Sequence, residues 1–286
     1  MIAAGIHPSV PMADYIADPC PTPSASAHFL WEGVSRSWAH ARIMHPRLAV
    51  VEHDDTSASD LGSAAHSAVL GGQTIVLIDA PDWRTKMARE QRDAARAGGE
   101  IPVLAKNADE LDGLVHSARA AFAARGIDPR QSRCEHTLIW QEGGVWCRSR
   151  PDLISADGET IIDLKTCADA GPGQWIRRTM LPSGHHMSAA HQLAGLAAVE
   201  PGPEREFLFL VQERVAPYAC SWVGLSPQLL DLAQRQRQWA LAQFAECLAT
   251  KKWPGYGAAT HYAECPAWME EQHMIATALD GQEVAP

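Results

Sequence analysis

The stretch that decides the fold is Arg150-Pro151-Asp152-Leu153-Ile154, followed a few residues later by Thr160-Ile161-Ile162-Asp163-Leu164-Lys165. Both runs are rich in aliphatic residues, and both are short enough to be strands. Asp157-Gly158, which lies between them, is a dipeptide typical of tight turns. The pattern therefore predicts an antiparallel hairpin at the centre of the fold.

Two carboxylates and a lysine are expected to converge on this hairpin. Side chains alternate across a strand, so Asp163 and Lys165 project from one face, about 7 Å apart along the backbone, while Leu164 faces the core. Pro151 indicates a strand end, an edge or a bulge directly before Asp152. If the two strands are neighbours, Asp152 lies beside Asp163 and Lys165.

Such a cluster predicts a bound cation. Close carboxylates repel each other by on the order of a few kcal/mol unless a divalent ion neutralises them. Oxygen ligands suit Mg²⁺, with Mn²⁺ as a possible substitute, and Glu135 on the preceding strand could supply a third carboxylate. The chemistry implied is metal-assisted phosphodiester hydrolysis, in which Lys165 positions or deprotonates the attacking water.

The rest of the chain predicts one α/β domain, with a central mixed sheet flanked by helices and a helical N-terminal elaboration. Five prolines predict that residues 1–25 form an extended arm. Residues 26–257 form the single domain and residues 258–286 an acidic tail. Helices are predicted from Ser26 to Ala41, from Ser59 to Val69, around Arg84 to Arg96, from Asn107 to Phe122, from Met187 to Val199, and from Ser226-Pro227 onward. Further strands are predicted at Gln73–Ile78, Glu135–Gln141, Val145–Arg150, Glu206–Gln212 and Ala219–Gly224.

Composition limits the possible functions. The chain has 286 residues and a formal net charge of −10, which excludes a uniformly basic coat for nucleic acid but allows a local basic groove. Seven scattered cysteines without a secretory leader predict a cytoplasmic protein with free thiols. No apolar run is long enough for a membrane span, so no membrane partner is expected.

Several motifs together resemble a known family. Pro151-Asp152 followed by Asp163-Leu164-Lys165-Thr166 resembles the PD-(D/E)xK nuclease superfamily, whose restriction-endonuclease-like core fits the predicted fold. More specifically, residues 147–154, residues 162–166 and His191-Gln192-Leu193-Ala194 are similar to the exonuclease VIII (RecE-like) branch of phages and prophages. The helix predicted over 61–70 resembles that branch's Gly-x-x-x-His helix. The resemblance covers roughly residues 10 to 257.

The resemblance implies a role for each matching residue. The metal ligands correspond to Asp152, Asp163, His66 and the backbone carbonyl of Leu164, and the catalytic lysine corresponds to Lys165. Gln192 corresponds to a glutamine that orients the lysine or the scissile phosphate. Glu135 corresponds to a ligand of a second metal or to a residue that supports the first. Where many relatives have a tyrosine one turn after the glutamine, this chain has Leu196, so one DNA contact of the family is absent or replaced.

The implied activity is that of a Mg²⁺-dependent exodeoxyribonuclease acting on double-stranded DNA ends, 5′ to 3′, in phage-type recombination. A single-strand-annealing partner and a homo-oligomeric ring are expected with it. Arg148, Arg150, Arg177 and Arg178 are the predicted DNA contacts. Cys220, Cys247 and Cys265 are too widely spaced for the iron-sulfur cluster of some relatives. A structure- or sequence-selective endonuclease and a non-catalytic DNA-binding module are the alternatives.

Overall fold

The predicted hairpin is present in the computed structural model, which describes residues 1–49 and 60–280. The predicted helix start at Ser59 lies outside these residues. The strands are β1 Gly5–His7, β2 Ser24–Ala25, β3 Ile75–Ile78, β4 Ile101–Leu104, β5 Arg133–Cys134, β6 Thr137–Glu142, β7 Val145–Ser149, β8 Leu153–Ile154, β9 Thr160–Cys167, β10 Glu206–Glu213 and β11 Cys220–Gly224. They form a five-stranded sheet of order β11-β10-β9-β8-β5, a four-stranded sheet of order β1-β6-β7-β2, and the pair β3-β4.

Ten α-helices flank these sheets or follow them in the described residues. They are α1 Met12–Ile16, α2 Ala27–Ser35, α3 Trp38–Met44, α4 Asp60–Leu70, α5 Lys86–Ala97, α6 Ala108–Ala124, α7 Pro172–Trp175, α8 His185–Val199, α9 Pro227–Thr250 and α10 Ala267–Asp280. A π-helical turn, Ile176–Met180, lies between α7 and α8. No helix among them is both long and apolar enough to cross a membrane.

The five-stranded sheet is mixed, as predicted. β8 pairs antiparallel with β9, which pairs parallel with β10, and β11 returns antiparallel to β10. Both faces of its centre are covered: Ile161 and Phe209 pack into one core, and Leu164 and Leu210 into another. This double burial explains why the central strands read as nearly continuous apolar runs, and it confirms the predicted fold class.

The N-terminal arm differs from the extended segment that its prolines predict. α1 begins directly after Pro11 and contains no proline, so the helical conformation is open to it. The rest of the arm pairs with the core, because β1 joins β6 and β2 joins β7. The arm is therefore part of the four-stranded sheet.

Two predicted helix details also differ. The single helix predicted from Ser26 to Ala41 is broken into α2 and α3, because the Ser37 side chain accepts a hydrogen bond from the His40 backbone N–H and starts a new helix. Asn107 precedes α6 as predicted, but its side chain makes no capping hydrogen bond, because a short 3₁₀ turn, Ala105–Asn107, leads into the helix instead.

The chain divides into two compact units, Met1–Gly255 and Tyr256–Pro286. Among the described residues, the first contains β1 to β11 and α1 to α9. The second contains α10, a helix within the segment that the sequence suggests only as an acidic tail.

Candidate active site

A row of three carboxylates crosses neighbouring strands at one end of the five-stranded sheet. Leu153 pairs with Ile162 in the antiparallel β8–β9 register, so the next residue pair along is Asp152 and Asp163. On the other side of β8, the backbone N–H of Glu135 donates a hydrogen bond to the Asp152 carbonyl at 3.0 Å. The hairpin predicted from the sequence therefore places Asp152 beside Asp163, and Glu135, which follows β5, adjoins Asp152 on the other side.

Glu135 occupies this row at a conformational cost. Its φ is +53°, in the left-handed region that non-glycine residues seldom adopt. Such a conformation costs on the order of 1 kcal/mol and persists only where surrounding contacts hold it. Here Arg150 holds the side chain with an ion pair of 3.0 Å to Oε2.

Helix α4 adds an imidazole to the row. Ala64 and Ala65 on this helix are fully buried, and Val69 packs against Leu164 and its neighbours on the sheet. The helix is thereby fixed with His66 Nε2 2.9 Å from Asp152 Oδ2 and Nδ1 3.5 Å from Glu135 Oε1.

Lys165 completes the constellation. Its Nζ lies 2.5 Å from Oδ2 of Asp163, whose side chain is almost fully buried. Between them in sequence, the Leu164 backbone N–H donates a hydrogen bond of 2.6 Å to Asp152 Oδ2. The alternation predicted for the D-x-K triplet is therefore realised, with Leu164 in the core on the opposite face.

His66 and Asp152 stabilise each other's charged forms. Burial opposes the charge on His66, but Asp152 and Glu135 outweigh burial and raise the pKa of the imidazole to about 10. Burial likewise disfavours the charged form of Asp152, yet His66 and Lys165 hold the pKa of that carboxyl well below its ordinary value. At neutral pH this pair is an imidazolium and a carboxylate.

The pKa values of Asp163 and Lys165 are both raised, but for different reasons. Burial raises the pKa of Asp163 to about 6; Lys165 opposes this rise and the charge of Asp152 adds to it. For Lys165, burial alone would lower the pKa, but the attraction of Asp163 and Asp152 wins and the pKa is raised. The lysine is therefore an ammonium in this arrangement.

All of these residues except the buried Asp163 line an open cleft of about 650 Å³, the catalytic cleft. Its described walls include His66, Glu135, Asp152 and Lys165 together with Arg150. Tyr15, from α1 of the arm, also lines it, and the sequence does not predict it as a site residue. A lone tyrosine in a proline-rich arm has no spacing to a partner residue that would mark it.

The residues present supply the donors that a hard divalent cation takes. Two carboxylates, a main-chain carbonyl at Leu164 and, once its extra proton is released, the His66 imidazole form an oxygen-rich set suited to Mg²⁺ or Mn²⁺. Within residues 1–49 and 60–280, however, no three His, Cys, Asp or Glu side chains are placed so that they could hold one ion. Asp152 is instead paired with His66, and Asp163 with Lys165. A metal at this point has to displace at least the His66 pair, and the metal assignment stays a prediction.

The other predicted site residues are placed in three different ways. Gln192 does not line the catalytic cleft; it is almost fully buried and lines an adjacent cavity. Arg148 is buried, with an ion pair of 3.3 Å to Asp18 of the arm, so in this arrangement it stabilises the arm and does not face the catalytic cleft. Arg177 and Arg178 are exposed on the π-helical turn.

The fold and the D-x-K row define an α/β domain of the PD-(D/E)xK class. The family model described as a PDDEXK-like domain of unknown function matches residues 37–265, and the chain belongs to this family.

Two solved structures are similar to the chain. A candidate exonuclease from Eubacterium rectale has a TM-score of 0.62 and 11% sequence identity, over 92% of this chain and 98% of that one. An alkaline exonuclease from Laribacter hongkongensis has a TM-score of 0.26 and 14% identity, over 68% of this chain and 93% of that one. No curated protein sequence matches the chain. The first of these similarities supports the shared fold.

Proposed function

We propose that this protein is a metal-dependent DNA exonuclease that hydrolyses phosphodiester bonds from duplex ends, 5′ to 3′, in phage-type recombination. The observation that carries the proposal is the row Glu135–Asp152–Asp163 with Lys165 beside it, at an open cleft that Glu135, Asp152 and Lys165 line. The resemblance to the exonuclease VIII branch and the similarity to a candidate exonuclease from Eubacterium rectale support the choice of activity.

The carboxylates of Asp152 and Asp163 are the anionic groups that would hold Mg²⁺, with Mn²⁺ as a substitute. A divalent cation supplies Lewis acidity and neutralises charge on the phosphate. His66 occupies the position from which an imidazole can join the ligand set or keep Asp152 ionised. Arg150 anchors Glu135, so Glu135 contributes to the shape and charge of the row.

Lys165 is better suited to stabilise charge than to accept a proton. It lines the cleft, and its Nζ pairs with Asp163 Oδ2 at 2.5 Å, as an ammonium donor does. An ammonium donates hydrogen bonds and offsets the charge that develops on the phosphate oxygens as the attacking water adds. Of the two roles that the sequence leaves open, this geometry supports positioning.

A chain with a net charge of −10 must meet DNA through local basic patches. The exposed Arg177 and Arg178 are proposed as contacts to the DNA backbone, and Arg150 as a contact close to the scissile phosphate. We further propose a homo-oligomeric ring around the duplex and a single-strand-annealing protein as partner, both on the strength of the family resemblance. Mass photometry that shows only monomers during long processive runs would contradict the ring.

Digestion of matched DNA forms tests the proposed function. Linear, nicked and covalently closed circular duplexes of one sequence are incubated with the protein and Mg²⁺, with strand ends labelled separately. We expect loss of the linear duplex from its 5′ ends and full survival of the closed circle. Cleavage of the closed circle would indicate the endonuclease alternative, and no cleavage of any form would indicate the non-catalytic module.

A further inference from the structure

A second cavity adjoins the catalytic cleft. It measures about 400 Å³, within the range of about 300 to 1,000 Å³ typical of small-ligand sites. Its described lining includes Ser149, Ser188 and Gln192. Tyr15 and Arg150 line both this cavity and the catalytic cleft, so the two spaces are immediate neighbours.

Two buried neutral side chains that line the second cavity each have one polar atom without a hydrogen-bond partner among the described residues. Gln192 is 5% exposed; its Nε2 donates a hydrogen bond to Ser188 Oγ at 3.4 Å, but its Oε1 accepts none from the described residues. Ser149 is 4% exposed, and its Oγ likewise has none. Buried polar groups are normally satisfied, because leaving them unpaired costs free energy. Two such groups on one cavity indicate a ligand that carries hydrogen-bonding atoms.

The guanidinium groups on the second cavity are already neutralised. Arg148 pairs with Asp18 at 3.3 Å, and Arg150 pairs with Glu135 at 3.0 Å. His45, which also lines the cavity, is buried, and burial lowers its pKa to about 4, so it is neutral. The Nε–H groups of Arg148 and Arg150 also have no hydrogen-bond partner among the described residues, but the charge of each guanidinium is balanced by its carboxylate. The cavity therefore offers hydrogen-bonding groups without an excess of positive charge, which favours a neutral polar ligand over a phosphate.

An aromatic ring is held in place at the wall between the two spaces. The centroid of the Tyr15 ring lies 5.7 Å from the Arg148 guanidinium and 6.0 Å from that of Arg150. Contacts of this kind between cations and rings fix the orientation of the ring. A ring fixed in this way is ready to contact a flat partner without further loss of side-chain freedom.

We infer that the second cavity binds one unpaired nucleobase, that of the nucleotide next to the scissile phosphate, against Tyr15 and with its edge hydrogen-bonded to Gln192 and Ser149. This inference rests on the proposed function, because it places the scissile phosphate in the catalytic cleft. In this inference Gln192 holds the base by a hydrogen bond, and it does not orient Lys165. A nucleobase fits the observations because it is neutral, flat and rich in donors and acceptors along its edge.

Removal of the base from the substrate tests the inference without altering the protein. Single-turnover cleavage is measured on linear duplexes whose terminal nucleotide is intact or abasic, with the lesion on the 5′ or the 3′ end in separate substrates. We expect the abasic end of the strand that is cut to react about 10-fold more slowly with the wild-type protein. Gln192→Ala should cut intact and abasic ends at equal rates, while Gln228→Ala, on the exposed first turn of α9, should discriminate as the wild type does.

A binding measurement separates this inference from the proposed function. A duplex with 2-aminopurine as its terminal base is titrated with three protein variants. The first carries Lys165→Ala alone, the second Lys165→Ala with Gln192→Ala, and the third Lys165→Ala with Gln228→Ala. We expect a fluorescence change at saturation that disappears only with Gln192→Ala, whether or not the wild type cleaves DNA. Equal cleavage of intact and abasic ends by the wild type, or an unchanged fluorescence at saturation, would overturn the inference; absence of cleavage with a Gln192-dependent fluorescence change would overturn only the proposed function.

Discussion

Asp152 and Asp163 are neighbours in one row, yet they have opposite effects on stability. Asp152 accepts a main-chain hydrogen bond and pairs with His66, and its pKa is lowered. Asp163 is buried, and its pKa is raised to about 6. An acid whose pKa is lower in the folded state stabilises the fold when ionised, and an acid whose pKa is higher destabilises it.

Substitution of each acid by its amide tests this difference. Asp152→Asn should lower the free energy of unfolding by about 1–3 kcal/mol, because it leaves the His66 imidazolium without its closest partner. Asp163→Asn should leave the free energy of unfolding unchanged or raise it. Urea denaturation at pH 7.5 in the presence of a chelator is the measurement. Equal losses of stability in the two variants would contradict the assignment of the ion pairs.

The residues that sequence alone could identify are those fixed by local geometry. Strand alternation and register bring Asp152, Asp163 and Lys165 together, because all three lie within one hairpin. Tyr15 and the partner of Arg148 come from the arm, more than a hundred residues away, and no local periodicity reports such contacts. Because Arg148 shares a strand face with Arg150, the sequence predicts that it contacts DNA. In the structure the Arg148 guanidinium is paired with Asp18 of the arm.

At the scale of secondary-structure elements, the buried carboxylate of Asp18 links the arm to the rest of the fold. The Asp18 side chain accepts hydrogen bonds from the backbone N–H and the hydroxyl of Ser24, at 2.9 and 2.7 Å. It also pairs with Arg148 and lies 3.4 Å from His45. These contacts tie the turn between α1 and β2 to β7 and α3, and so position Tyr15.

Loss of this carboxylate should loosen the arm. Asp18→Ala leaves Arg148 buried and unpaired, so we expect a loss of about 3–5 kcal/mol in the free energy of unfolding. Asp14→Ala, an exposed position on α1, is the matched control and should have little effect. Chemical denaturation measures both. A stability of Asp18→Ala within about 0.5 kcal/mol of the control would show that the pair does not anchor the arm.

Buried neutral histidines on two elements predict a loss of stability in mild acid. Burial lowers the pKa of His191 on α8 to about 3 and that of His45, after α3, to about 4. The unfolded chain takes up these protons near pH 6.5 and the folded chain does not, so the contribution is complete above pH 6.5 and is lost as the pH falls toward 4. Melting curves between pH 7.5 and 4.5 should therefore shift to lower temperature. His191→Gln should flatten the dependence, whereas the exposed His261→Gln should not; identical slopes in both variants would contradict this account.

The elements that the sequence predicts well carry their own signals. Ser226 caps α9 with Pro227 in its first turn, and apolar strands of the right length surround the D-x-K triplet. The elements that it does not predict lack such signals. α1 is a single short turn bounded by proline-rich sequence, and β4 has one proline among its four residues, so its pairing with β3 depends on tertiary contacts.

For the molecule as a whole, the question is how an acidic chain holds a polyanion. Arg177 and Arg178 are exposed and adjacent, and they follow the strand that carries Asp163. Replacing both with glutamine should weaken duplex binding for every sequence. It should also flatten the log-log dependence of affinity on salt by about 0.9 for each phosphate that the protein no longer neutralises. Lys251→Gln with Lys252→Gln removes the same charge elsewhere and should leave the slope unchanged. An unaltered slope in the arginine variant would remove this pair from the DNA path.

Phosphodiester hydrolysis is assigned above all to the row of carboxylates beside Lys165. Single-turnover cleavage of an end-labelled linear duplex, with Mg²⁺ and saturating protein, compares the wild type directly with Lys165→Ala. Lys252→Ala serves as the matched control. We expect Lys165→Ala to slow cleavage by about 100-fold or more while its affinity for the duplex persists, and Lys252→Ala to cleave as the wild type does. Cleavage by Lys165→Ala at the wild-type rate would contradict the assignment, because the D-x-K triplet would then be no more than an ion pair at the edge of a cleft.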